Sequence, residues 1–169
     1  MPTFEDYTKF LAGIRKATGL DMLNPDASGL VTVRVQDEFN LSLQFIEATG
    51  KILCFVEVAE LPKDAGREVY RDLLAGGLFG QDTAGGYFAL ETETETVVYN
   101  YLFDFDRSAA NPEEFFSTLE KILQLCGIWV DRIRTDLSSP GAAQPDVPAA
   151  EPAEAQPAAE SQTSFHLMP

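Results

Sequence analysis

Apolar positions recur at spacings of three and four near the start of the chain. Phe4, Tyr7, Phe10, Leu11, Ile14 and Ala17 form one stripe and predict an amphipathic helix. Thr3 with Asp6 supplies a capping pair at its start, and Gly19 supplies a left-handed stop. Leu20, Met22 and Leu23 make an apolar corner ahead of the Asn24-Pro25-Asp26 turn. The period then changes to two. Val31, Val33 and Val35 alternate with Thr32, Arg34 and Gln36, and Leu41, Leu43 and Phe45 alternate with Ser42 and Gln44. A third run, Ile52–Val58, follows the Thr49-Gly50 turn. Gaps this short predict an antiparallel meander, because parallel neighbours need a long crossover.

Pro62 ends the strand pattern. Val69, Tyr70, Leu73 and Leu74 then predict a short helix over Arg67–Leu74, closed by Gly76-Gly77. Tyr87–Leu90 opens a fourth strand and Val97–Phe103 forms a fifth, with Glu91–Thr96 as the hairpin connection or a solvated strand end. Asn111-Pro112-Glu113-Glu114 is a strong helix start: a capping Asn, Pro at the first helical position and acids in the first turn. Phe115, Leu119, Ile122, Leu123, Cys126, Trp129, Val130 and Ile133 carry that helix to about Leu137. The expectation is an α+β fold in the order α-β-β-β-α-β-β-α, with three helices and an antiparallel five-stranded sheet.

After Leu137 the composition changes. Residues 138–164 hold one bulky aliphatic, Val147, and no aromatic. Such a stretch cannot bury enough apolar area to offset its ordering entropy, so residues 138–169 are expected to be a disordered Ala/Pro/Glu-rich tail and residues 1–137 the folded domain. Phe165-His166-Leu167-Met168 is apolar again and could be a short docking motif.

Charge narrows the partners. The chain has 27 acidic and 12 basic side chains, a net charge of −15. Asp146, Glu151, Glu154 and Glu160 carry four of those charges, which leaves −11 on the body. Such a field disfavours nucleic acid and anionic lipid and favours basic or weakly charged partners. No apolar run is long enough for a membrane helix. Glu5 and Asp6 precede any basic residue, and no secretory signal is expected. Cys54 and Cys126 sit in apolar stretches and read as buried thiols, so a cytosolic protein is expected.

Candidate chemistry is sparse. The single histidine, His166, lies in the tail, so the body offers no Ser-His-Asp or Cys-His arrangement and no zinc site; no cofactor is expected. Gly76-Gly77-Leu78-Phe79-Gly80 has no phosphate-loop context. Glu91, Glu93 and Glu95 alternate and could hold calcium, but the intervening threonines fit an exposed hairpin better. Asp104 and Asp106 could form an acid/base pair, yet a solvated strand end explains them better. The apolar surplus says more. A small sheet with three helices cannot cover both of its faces, which leaves area for self-association or a partner.

Several phrases resemble the class I chaperones of bacterial type III secretion, the family of the Tir chaperone. They are Phe10-Leu11-Ala12-Gly13-Ile14 with Thr18-Gly19-Leu20-Asp21, Leu30–Val35 with Asp37 and Leu41–Phe45, Leu73-Leu74-Ala75-Gly76, Gly85-Gly86-Tyr87-Phe88-Ala89-Leu90, and Trp129. Gly76 stands where that family usually has Asn, and the Ala/Pro tail is a further departure. The resemblance implies a cytoplasmic, non-enzymatic homodimer that holds the N-terminal region of a secreted effector in extended form. It further implies a dimer seam on the second helix and fourth strand (Val69, Tyr70, Leu73, Leu74, Phe88, Leu90). Effector-binding patches would come from the first helix and first strands (Phe10, Leu11, Ile14, Leu20, Val33, Leu41, Leu43, Phe45). The alternatives are a regulatory or scaffold protein that docks through its tail, and an enzyme using Asp104, Asp106 or Glu93.

Overall fold

The computed structural model describes residues 1–19, 22–35 and 37–139. Helix α1 spans Phe4–Thr18, and strands β1 (Leu30–Val35), β2 (Phe39–Ile46) and β3 (Lys51–Glu60) follow it. Helix α2 (Arg67–Gly76) runs into a 3-10 turn at Leu78–Gly80. Strands β4 (Tyr87–Glu91) and β5 (Thr96–Asp104) lead to α3 (Phe105–Ala110) and the long α4 (Pro112–Ser138).

Local chemistry sets the boundaries. At the start of α1 the Thr3 side chain accepts from the Asp6 N–H, while the Asp6 carboxylate accepts from the Thr3 N–H at 2.9 Å. Gly19 closes the helix at φ 73°, a left-handed value that suits glycine. Asn111 caps α4 through the Glu114 N–H, with Pro112 in the first turn.

The strands form one antiparallel sheet in the order β1-β2-β3-β5-β4. Register decides what each face carries. Val31, Leu43, Cys54 and Tyr101 lie in one row, and Phe45, Ile52 and Phe103 in the next. The helices pack on this face. Tyr7 of α1 stacks on Phe45 at 5.2 Å between ring centroids, Phe115 of α4 meets Phe103 at 4.7 Å, and Trp129 meets Phe88 at 4.7 Å. The opposite face carries Arg34, Asn40, Leu53, Phe55, Glu57, Val98 and Leu102, all exposed or half-buried. No helix among the described residues covers it, as expected of a small sheet with helices on one side.

The antiparallel five-stranded sheet and the order of elements along the chain match the expected fold, with one addition. Among the described residues four α-helices and a 3-10 turn form where apolar spacing predicts three helices. The extra helix, α3, begins where Asp104 was expected to be a solvated strand end. Asp104 is the exposed last residue of β5, as expected, and its carboxylate also accepts from the Arg107 N–H at 3.0 Å and pairs with Lys51 at 2.9 Å. Phe105 then turns into the core against Phe10 and Phe45. A six-residue helix is too short for apolar spacing to announce it.

One irregularity affects the open face. The pairing of β3 with β5 shifts between Glu57 and Ala59. In a regular strand, residues three apart point to opposite faces. Here Glu57 lies opposite Val98 and Glu60 opposite Thr96, so this bulge places both glutamates on the open face.

Candidate functional site

The second helix and the fourth strand converge on one apolar groove. Amphipathic spacing turns Val69 into the core and leaves Tyr70 and Leu73 half-buried at the helix edge. Phe88 and Leu90 stand on the helix-facing side of β4, opposite Tyr99 and Val97. Tyr70, Leu73, Leu74, Phe88, Leu90 and Val97, with Ala89, line a groove of about 160 Å³. Leu74 is 79% exposed at its lip. Five of the six residues expected at a dimer seam therefore meet in one place, while Val69 is buried in the core.

Two further apolar residues are exposed close by in sequence. Directly after α2, Leu78 and Phe79 also project into solvent, Phe79 at 86% exposure. Phe79 holds a left-handed φ of 57°, which costs a non-glycine residue about 1–2 kcal/mol. Buried anchors secure the loop that follows. The Tyr99 hydroxyl donates to the Thr83 carbonyl at 2.7 Å, and the Trp129 Nε1–H donates to the Asp82 carbonyl at 2.9 Å. The neighbouring Gly77 and Gly80 make the segment read as a plain loop, which is why its apolar pair escaped the sequence reading.

The residues expected to bind an effector divide differently. Leu11, Ile14, Leu41, Leu43 and Phe45 belong to the protomer's buried core. The expectation that they offer apolar area to a partner does not fit their positions: their alternation is that of a covered sheet face. Phe10 and Val33 remain accessible in part. Phe10 packs edge-on against Phe105 and Phe115 and borders a shallow cleft with Met1, Pro2, Lys9 and Asp106. Val33 lies on the edge strand β1. Leu20 lies outside the described residues, as do Phe165–Met168.

Titratable groups in the body are held by structure. Burial raises the Cys54 thiol far above its ordinary range and the Cys126 thiol to about 12, so both stay neutral and poorly reactive. Asp104 is held below the usual carboxylate range, first by the Lys51 hydrogen bond and then by the Arg107 N–H. Among the described residues no group of three or more His, Cys, Asp or Glu side chains could hold a metal ion, and no helix is long and apolar enough to cross a membrane.

Residues 9–129 match the model of the Tir chaperone protein (CesT) family. The chain belongs to that family. No curated protein matches it. Among solved structures it is similar to a chain of the ExsC–ExsE complex, with a TM-score of 0.69 and 17% identity over 79% of this chain and 97% of that one. A chain of the HopA1–SchA chaperone–effector complex follows at TM-score 0.56 and 20% identity, covering 76% and 93%. The Yersinia pestis type III secretion chaperone SycH, solved with a fragment of YscM2, gives 0.52 and 17%, covering 70% and 98%. Likeness at these identities is likeness of fold.

The position of Trp129 in this chain accounts for one departure in the sequence. A Cβ on Gly76 would collide with the Trp129 ring. With Trp129 buried on that spot, the end of α2 has no room for the asparagine common in the family. The Arg132 guanidinium lies 4.0 Å above the same ring and makes two hydrogen bonds to the Asp72 carboxylate, at 2.7 and 3.0 Å. Together these contacts lock α2, and the groove it lines, onto α4.

Proposed function

We propose that this chain is a bacterial cytoplasmic chaperone that binds the N-terminal region of a type III secreted effector in extended form and keeps it soluble and ready for export. The membership of residues 9–129 in the Tir chaperone family carries this reading. The HopA1–SchA structure is a chaperone–effector complex, and its chaperone-like fold is the one seen here. The physical features agree. An extended partner segment needs uncovered sheet edges and apolar area, and the described residues leave one sheet face and both edge strands, β1 and β4, open. The acidic body would hold a basic segment and keep the loaded complex soluble.

Two protomers would join through the groove of Tyr70, Leu73, Leu74, Phe88 and Leu90, with Leu78 and Phe79 adding to the seam. The effector would run past the first helix and the β1 edge, using the accessible parts of Phe10 and Val33. Residues 138–169 would be a separate appendage to the binding domain.

Co-expression with a candidate effector tests this reading. The expected result is a complex with two copies of the chaperone by light scattering and an effector N-terminus shielded from protease. A monomer that forms no such complex with any effector encoded near its gene would overturn it. Removing residues after Leu137 separates the readings: a chaperone keeps its effector, whereas a scaffold docking through Phe165–Met168 loses its partner.

A further inference from the structure

The open face of the sheet holds a second groove, on the opposite side of β4 from the seam. Phe55, Ala89 and Val98 form its apolar floor, and Glu57, Glu91 and Asn100 contribute to its walls, enclosing about 360 Å³. The bulge in β3 brings Glu60 to the same face beside Glu57, and Glu91 lies opposite Thr96 in the same row as Glu60. Glu57 and Glu91 therefore line one apolar floor, and Glu60 stands on the same face opposite Thr96.

Arg34 lies on the same face, in the row of Asn40 and Glu57, and donates to Asn40 at 3.0 Å, but it makes no ion pair with these carboxylates. Glu57 accepts one hydrogen bond, from the Asn40 side-chain amide at 2.6 Å, and Glu91 accepts one from the Glu93 N–H at 3.0 Å. Among the described residues, none of the three forms an ion pair. Lys51, Arg107 and Arg132 are paired with other carboxylates, away from this groove. A bulge that turns a further acid toward an open apolar groove favours a cationic, amphipathic occupant.

We infer that this groove binds an arginine-bearing extended segment of the partner protein. An arginine stem can lie along Phe55 and Val98 while its guanidinium forks between carboxylates at the rim. Lysine, a compact and strongly hydrated charge, fits less well. Alternate residues of an extended segment face the sheet, so the groove selects arginine at every second position. The inference rests on the chaperone reading for the identity of the partner, but the chemistry of the groove can be tested without it.

The probe is an acetylated eight-residue peptide alternating arginine and valine, with lysine–valine and glutamate–valine versions as controls. Binding to the full-length protein is followed by fluorescence anisotropy and by amide chemical shifts. The expected result is shifts centred on Phe55, Ala89 and Val98, affinity in the order arginine, lysine, glutamate, and weakening as salt rises. The triple variant Glu57→Gln, Glu60→Gln, Glu91→Gln keeps side-chain shape and should bind the arginine peptide about tenfold more weakly. Equal binding by the triple variant, or shifts centred elsewhere, overturns the inference. The two readings fail separately: an effector complex indifferent to the triple variant removes the groove and leaves the chaperone, whereas arginine-peptide binding without any effector complex does the reverse.

Discussion

The two faces of the sheet come from the same strands yet do different work. On the helix-covered face, Leu43, Ile52, Val56 and Tyr99 are fully enclosed, and each such side chain contributes about 1.5–3 kcal/mol by leaving water. On the open face, Leu53, Phe55, Val98 and Leu102 are also apolar but keep contact with solvent. They contribute little to folding and remain available to a partner. Apolar character alone does not say which task a residue performs; the register of the strand does.

The sharpest break in this contrast should come from the covered side. Trp129→Ala removes the ring that packs on Phe88, fills the space over Gly76 and carries Arg132, and should cost about 3–5 kcal/mol in denaturant unfolding. Leu43→Ala should cost about 2–5 kcal/mol in the same measurement. Next in size is an effect on assembly. Replacing Leu74 and Phe79 by Asp should weaken the proposed dimer by about 2 kcal/mol or more, read as a shift to monomer in light scattering, with the fold retained in circular dichroism. An unchanged mass would move the seam off α2. On the open face, Leu102→Ala should alter stability by no more than about 0.5 kcal/mol; a cost as large as that of Leu43→Ala would mean the face is covered.

The smallest effect concerns pH. Hydrogen bonds from Ser28 and neighbouring N–H groups hold Asp26 below its ordinary range, and Lys51 does the same for Asp104. A carboxyl whose folded-state pKa is depressed adds stability above its unfolded pKa and loses it as pH falls through the folded value. Unfolding midpoints should therefore drop on acidification below the usual carboxylate range. The Asp26→Asn, Asp104→Asn double variant should show a shallower drop. An identical slope would show that these bonds persist in the unfolded chain.

Much of this could be read from the residues. The period-two valines of β1, the Asn111-Pro112 helix start and the Thr3–Asp6 cap are local signals, and local signals survive into the fold. The apolar groove was legible for a related reason: Tyr70, Leu73 and Leu74 share a helix edge by spacing, and Phe88 and Leu90 share a strand side by alternation. The burial of Leu41, Leu43 and Phe45 was not. Leu41 and Leu43 alternate as any half-buried strand does, and alternation cannot say whether the apolar side meets a helix of its own chain or a partner. Leu78 and Phe79 carried no periodic signal at all.

The sequence by itself determined the element types, their order, the acidity of the body and the family phrases, because each depends on neighbouring residues or on totals. Tertiary structure decided which sheet face the helices cover, that Gly76 must lack a side chain beneath Trp129, and that Glu57 and Glu60 share the open face. Those outcomes depend on contacts between segments far apart in the chain and on a bulge whose register is fixed only when β3 pairs with β5.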